Sequence, residues 1–230
     1  MCSIPQLFTV LLLAGWVLSA GTSWLMGASP KFAMYRANPS HTGVYEGPAI
    51  KIGKLKWRFK TGGKVRSTPA IMEGIACVGS EDGQLYAVNA QTGQLIWKFK
   101  TAGDLSSSPA VAEETVFFLG GDSSFYALDL KTGQLRWKFP TGPDLVFEAM
   151  KGDPRTWDYY LSSPTLVDEM LYFGGGDGAL YALHRKTGKL LWKLQTEGRI
   201  RTSPAVDAGV VYVGSFDHHL YAVDARTGQL

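Results

Sequence analysis

A block of about forty residues recurs four times along this chain of 230, and that period constrains the fold more than any other feature. Tryptophans fall at Trp57, Trp97, Trp137 and Trp192, at steps of 40, 40 and 55. Three other markers keep the same register. Turn aspartates stand at Asp82, Asp122, Asp177 and Asp217, and Thr-Gly pairs end at Gly93, Gly133, Gly188 and Gly228; prolines stand at Pro69, Pro109, Pro164 and Pro204. A period of forty suits helical arrays as well as β-blades, so strand chemistry decides. In the second unit SPAVA, TVFFLG, SFYALDL and QLRWKFP are short, rich in Val, Phe, Tyr, Leu and Trp, and bounded by turn residues. No stretch between turn signals carries a helical period. Asp82-Gly83 and Asp177-Gly178 match two-residue hairpin turns, where Gly supplies positive φ; Asp122-Ser123 and Asp217-His218 predict longer or strained versions. Four antiparallel strands per unit, repeated, specify an all-β propeller of four-stranded blades.

The second hairpin of each unit reads AVNAQTGQLIW at 87–97, ALDLKTGQLRW at 127–137, ALHRKTGKLLW at 182–192 and AVDARTGQL at 222–230. It resembles the tryptophan-docking motif of the pyrroloquinoline-quinone-like repeat family, in which Ala, Asp, Thr-Gly and Trp keep fixed spacing. The likeness covers residues 54–230, about three quarters of the chain, with Asn89 and His184 in place of the usual Asp. Its physical logic is a capped turn, a left-handed Gly, and a returning indole free to wedge between blades. FAMYRANPSHTGVY at 32–45 also resembles the lead-in of secreted members.

The resulting organisation is a 1–30 leader, a 31–53 lead-in and repeats at 54–230, with blades at about 54–97, 98–137, 138–192 and 193–230. A fifth Trp is due at 232, so the fourth blade lacks its outer strand within the sequence. The expectation is that the chain holds half of a seven- or eight-bladed ring. The alternative has KLKWRFK at 54–60 completing the last blade of a closed ring of four.

Residues 1–30 carry no charged side chain, and Leu7–Leu18 is an apolar run of signal-peptide length. The expectation is export to a periplasmic or extracellular setting, by a cleaved signal peptide or with the segment retained as a membrane anchor. Cys2 is misplaced for lipid attachment, and Cys77, inside an apolar strand, is expected as a small buried hydrophobe. With 23 basic and 20 acidic residues interspersed, no electrostatic footprint for nucleic acid exists.

The third unit departs from the period by fifteen extra residues, GPDLVFEAMKGDPRTWDYYLS between Thr141 and Ser163. This link joins one blade's outer strand to the next blade's inner strand, on the face of the Asp-Gly turns. Its Phe147, Glu148, Arg155, Trp157, Asp158, Tyr159 and Tyr160 form an aromatic, mixed-charge loop suited either to binding or to plugging the channel mouth. Arg66 and Arg201, opening two inner strands beside Lys64 and Arg199, are candidates for holding a carboxylate or an acidic partner patch. His218-His219 has the spacing of a turn rather than of a metal site.

Two functions follow from the resemblance. Quinoprotein dehydrogenases of this fold carry pyrroloquinoline quinone with calcium, usually beneath a vicinal Cys-Cys pair. This sequence has no such pair, no evident cofactor or metal set and no identifiable catalytic base. The expectation is therefore an exported scaffold that binds a protein or small ligand at the channel-mouth face, as in the non-catalytic branch that includes an outer-membrane-protein assembly lipoprotein. The alternative is a piece of a quinoprotein dehydrogenase whose catalytic residues lie elsewhere.

Overall fold

The computed structural model describes residues 32–43, 53–145 and 160–230. It contains sixteen strands in four antiparallel sheets and, among the described residues, no helix. The first sheet is β2 (Ala70–Met72), β3 (Ile75–Ser80), β4 (Gln84–Asn89) and β5 (Leu95–Lys100). The second is β6 (Ala110–Ala112), β7 (Thr115–Gly120), β8 (Ser124–Asp129) and β9 (Leu135–Pro140). The third is β10 (Thr165–Val167), β11 (Met170–Gly174), β12 (Ala179–His184) and β13 (Leu190–Gln195). The fourth has β14 (Ala205–Asp207), β15 (Val210–Gly214) and β16 (Leu220–Asp224). Strands within each sheet pair in sequence order, the up-and-down connectivity of propeller blades. The all-β propeller expected from the period is therefore observed, with four blades.

Burial follows position within a blade. The second strand of the second blade, TVFFLG, is buried at every residue because neighbouring blades cover both its faces. The outer strand LRWKFP alternates between exposed and half-buried, the pattern of a sheet edge with one wet face. Inner strands are three residues long, each preceded by its proline, which suits a short edge strand. The core is accordingly three layers between blades. The layer between the first two includes Cys77, Leu85, Trp97, Val116, Phe118 and Leu128. The next stacks Phe125 on Phe173 at 4.3 Å between ring centroids, and the last gathers Tyr172, Leu180, Ile200 and Val211. Cys77 is fully buried, which pushes its thiol up to about 12.

Three features differ from or extend the sequence expectations. First, KLKWRFK at 54–60 forms no strand: β5 already occupies the outer position of the first sheet, and no other described strand pairs with it. Second, the turns at Asp122-Ser123 and Asp217-His218 keep the position of their glycine counterparts and carry strain instead of length. Ser123 and His218 adopt φ of 54° and 71°, where Gly83 and Gly178 have 76° and 80°. Third, the lead-in is part of the propeller. Its β1 (Phe32–Ala33) adds to the inner edge of β6, pairing Phe32 with Ala112 and Ala33 with Val111. Further along, Val206 N–H donates to Pro39 O at 2.8 Å and Ser40 Oγ donates to Val206 O at 3.0 Å. One short segment thus crosses the axial edges of the second and fourth blades.

Candidate functional site

Two architectural devices recur in every blade and set the geometry of the axial end. The first is the outer hairpin. Each indole N–H donates to a backbone carbonyl on a neighbouring turn: Trp57 to Ala90 at 3.1 Å, Trp97 to Leu130 at 2.8 Å, Trp137 to Arg185 at 3.1 Å and Trp192 to Ala225 at 2.9 Å. The ring lies flat on the turn glycine. A Cβ on Gly133 would sit 2.7 Å from the Trp97 ring, and its φ of 71° already disfavours a side chain. The second device is the turn aspartate. Asp82, Asp122 and Asp217 accept the hydroxyl of Tyr86, Tyr126 and Tyr221 at 2.6, 2.6 and 2.7 Å. They also accept the N–H of Gly62, Ala102 and Glu197, on the link entering the blade, at 2.7, 3.3 and 3.1 Å. These carboxylates are occupied in holding the links against the turns.

With the links held, the starts of the inner strands converge on the axis. Each proline is preceded by a hydroxyl pair: Ser67-Thr68, Ser107-Ser108, Ser162-Ser163 and Thr202-Ser203. The first member accepts from its own blade, as when Gly174 N–H donates to Ser162 Oγ at 2.9 Å, and in two repeats also donates to the next, Ser107 Oγ to Ser162 O at 3.0 Å and Ser162 Oγ to Thr202 O at 2.9 Å. The second spans to the next blade. Thr68 N–H donates to Ser108 Oγ at 2.9 Å, Ser108 N–H to Ser163 Oγ at 3.0 Å, and Ser163 N–H to Ser203 Oγ at 3.0 Å. A hydroxyl row thereby stitches four blades together around the axis. Its sequence signal is the Ser/Thr pair ahead of each proline, which is invisible as a site because the same residues also serve as ordinary turn formers.

One position before each pair the repeats diverge, to Arg66, Ser106, Leu161 and Arg201. These residues line one cavity of about 510 Å³, together with Tyr160, the hydroxyl row and the lead-in residues Tyr35, Arg36 and His41. Arg66 pairs with Glu81 and lies 5.9 Å from the Tyr160 ring centroid. Arg201, its side chain 6% exposed, pairs with Asp144 at the base of the insertion. Arg199 is buried and donates through Nε to Leu145 O at 2.6 Å, so it anchors the same base. Leu145 N–H in turn donates to Gly176 O at 2.9 Å, which sets the insertion on the face of the Asp-Gly turns. The structure thus brings Arg66, Arg201 and Tyr160 together. Phe147, Glu148, Arg155, Trp157, Asp158 and Tyr159 lie outside the described residues, as does the leader at 1–30. His218 sits in its turn, and His219 Nδ1 lies 3.3 Å from Asp217 Oδ1.

The lead-in residues were not legible as site components. Tyr35, Arg36 and His41 are brought to the axis by a tight loop in which Arg36, Ala37 and His41 hold φ of 56°, 75° and 53°. His41 Nε2 is 3.2 Å from Thr165 Oγ1, and burial, with Arg36 nearby, lowers its pKa. Among the described residues no group of three or more His, Cys, Asp or Glu is placed to hold a metal ion. Among the described residues no helix is long and apolar enough to cross a membrane.

Comparison with known proteins agrees with this architecture. A solved structure of BamB from Moraxella catarrhalis superposes with a TM-score of 0.64 at 20% identity, over 88% of this chain and 57% of that one. A europium-containing methanol dehydrogenase gives a TM-score of 0.62 at 19% identity, over 77% of this chain and 44% of its own. The computationally designed Ika4 protein gives 0.61 at 15% identity, over 74% of this chain and 98% of its own. The chain therefore spans about half the length of the two natural proteins, and at these identities the likeness concerns the fold. No curated protein sequence matches the chain. The family model described as outer membrane protein assembly factor BamB matches residues 49–154 and 148–230, and the chain belongs to that family.

Proposed function

We propose that the protein is an exported propeller scaffold that binds a protein or small-molecule partner at the axial face, with the insertion around Trp157 and Tyr160 as part of the binding surface. The observation that carries this reading is the convergence of Arg66, Tyr160 and Arg201, from three different repeats, on one open cavity. Binding groups gathered from separate repeats on a rigid frame are how propellers build sites. The rest of each blade is committed to holding its neighbours, which leaves the axial position as the one free to vary. Membership of the BamB family supports the scaffold role, and the uncharged segment at 1–30 supports export and membrane association.

The test is site-specific photo-crosslinking in cells producing the full-length protein. A probe replacing Tyr160 is expected to give a discrete adduct, and the same probe replacing Lys98, on an exposed outer strand, to give none. Trp157→Ala should reduce the adduct formed at 160. Equal labelling from both positions, or no adduct from either, overturns the reading. So does dye-linked alcohol oxidation by the purified protein on addition of quinone and Ca²⁺, which would assign the dehydrogenase alternative.

A further inference from the structure

The axial cavity is lined almost entirely by hydrogen-bond donors. Among the described residues its lining contains three arginines (Arg36, Arg66 and Arg201), the tyrosines Tyr35 and Tyr160, and no Asp or Glu. Together with Asp104, the carboxylates that hold Arg66 and Arg201 line an adjoining, smaller recess of about 180 Å³, which shares Ser106, Leu161 and Arg201 with the cavity. The hydroxyl row adds to the imbalance. Ser106 Oγ accepts Leu161 N–H at 3.0 Å, and Ser108, Ser163 and Ser203 each accept the N–H of the preceding blade. Each hydroxyl has thus spent acceptor capacity, while among the described residues none donates its proton. Ser106, Ser108 and Ser163 are 8%, 6% and 6% exposed, so their unspent donors sit where bulk water is scarce. The Arg36 guanidinium, which also lines the cavity, has no acidic partner among the described residues. It is carried by a loop with three left-handed non-glycine residues in a stretch of six. Strain of that kind persists where the surrounding structure holds a segment in one shape, and it gathers at ligand-binding sites.

We propose that this cavity is a carboxylate-binding site, in which Arg36 and the unspent serine hydroxyls receive the anion and Arg201 is held in place beside it by Asp144. A carboxylate is acceptor-only and can take several donors at once, which is what the lining offers and lacks. The inference rests on reading the axial face as the binding surface and names the ligand chemistry that face selects. The carboxylate could be borne on an acidic peptide segment of a partner or on a free organic acid.

Calorimetric titration of the full-length protein distinguishes these, with an acetylated, amidated hexaglutamate peptide in one arm and glutarate in the other. Saturable binding in the peptide arm alone assigns a polypeptide carboxylate; comparable binding of glutarate assigns a free acid. In either case Arg36→Gln, at an exposed side chain and so harmless to the core, should weaken binding at least tenfold. Lys98→Gln removes the same charge from an outer strand and should leave it unchanged. No saturable binding in either arm, or equal weakening by both substitutions, overturns the proposal. Crosslinking from position 160 that persists in Arg36→Gln would then show that the scaffold reading stands without it.

Discussion

At the outer hairpins the four repeats are nearly interchangeable, with indole-to-carbonyl distances of 2.8–3.1 Å and the same glycine beneath each ring. At the axial ends of the same blades the equivalent position holds Arg66, Ser106, Leu161 and Arg201, three different chemistries in four repeats. The difference teaches which contacts the repeat depends on. An outer Trp fills a space between two blades, and any smaller residue leaves a void and an unmatched carbonyl. An axial residue faces a cavity, and its contacts with the neighbouring blade differ from repeat to repeat: Arg201 pairs with Asp144, while Ser106 accepts Leu161 N–H. Uniform positions therefore mark architecture, and the divergent one is where the proposed recognition is placed.

The largest effect that could break this comparison comes from Trp97→Ala. Trp97 is 9% exposed and packs in the layer joining the first two blades. Its loss should cost about 3–5 kcal/mol, by the usual scale for emptying a buried aromatic site. In a repeat protein that cost falls on one nearest-neighbour interface. Arg66→Gln, at a surface ion pair, should cost far less. Urea denaturation of the two variants checks the contrast. Comparable midpoints would mean that the outer indoles are not what holds the blades together.

What the sequence made legible divides along the same line. The period, the strands and the turn positions could be read because Trp57, Trp97, Trp137 and Trp192 and their glycines solve one packing problem four times. The axial site was legible only in part. Arg66, Arg201 and Tyr160 stood out as departures from the repeat, and the structure gathers them. Tyr35, Arg36 and His41 did not, because their place depends on pairing between β1 and β6, a contact some eighty residues away with no local signature. The hydroxyl row was hidden for the opposite reason: Ser-Pro and Thr-Pro steps are so ordinary in turns that their inter-blade role leaves no separate trace. KLKWRFK at 54–60 shows the converse, since a strand-like pattern makes no strand without a neighbour to pair with.

A smaller effect should appear on acidification, and it samples both ends of the blade. At the outer hairpin the Arg136 guanidinium, helped by Thr132 and the Lys131 N–H, holds Asp129 down to about 2. At the axial-face turn, burial works against the charged form of Asp217. The Tyr221 hydroxyl and the N–H groups of His219 and Glu197 outweigh it and again hold the carboxyl at about 2. Both folded values lie below the ordinary range of about 3.9. Their contribution to stability is therefore complete above about pH 4 and is lost as the pH falls towards 2. Thermal unfolding followed between pH 5 and pH 2 should show a steep loss in the wild type and a shallower one in Asp129→Asn and Asp217→Asn. Parallel curves would mean that these turn carboxylates contribute nothing through their charge.

The smallest effect has the opposite sign. His218 occupies, at φ 71°, the turn position that Gly178 occupies at 80° in the preceding blade. A left-handed non-glycine residue costs about 1–2 kcal/mol, and glycine's greater freedom in the unfolded chain returns about 0.5–1 kcal/mol of that. His218→Gly should therefore stabilise by about 0.5–1 kcal/mol, raising the melting temperature by about 1–4 °C in a chain of this size. The reverse exchange is not symmetrical. At Gly178 an added Cβ would meet Gly198 O at 2.8 Å, so Gly178→His must cost more than the left-handed conformation alone. If His218→Gly instead destabilised the protein, the imidazole would be making a contact worth more than its strain, and that turn would belong with the recognition surface rather than with the repeating frame.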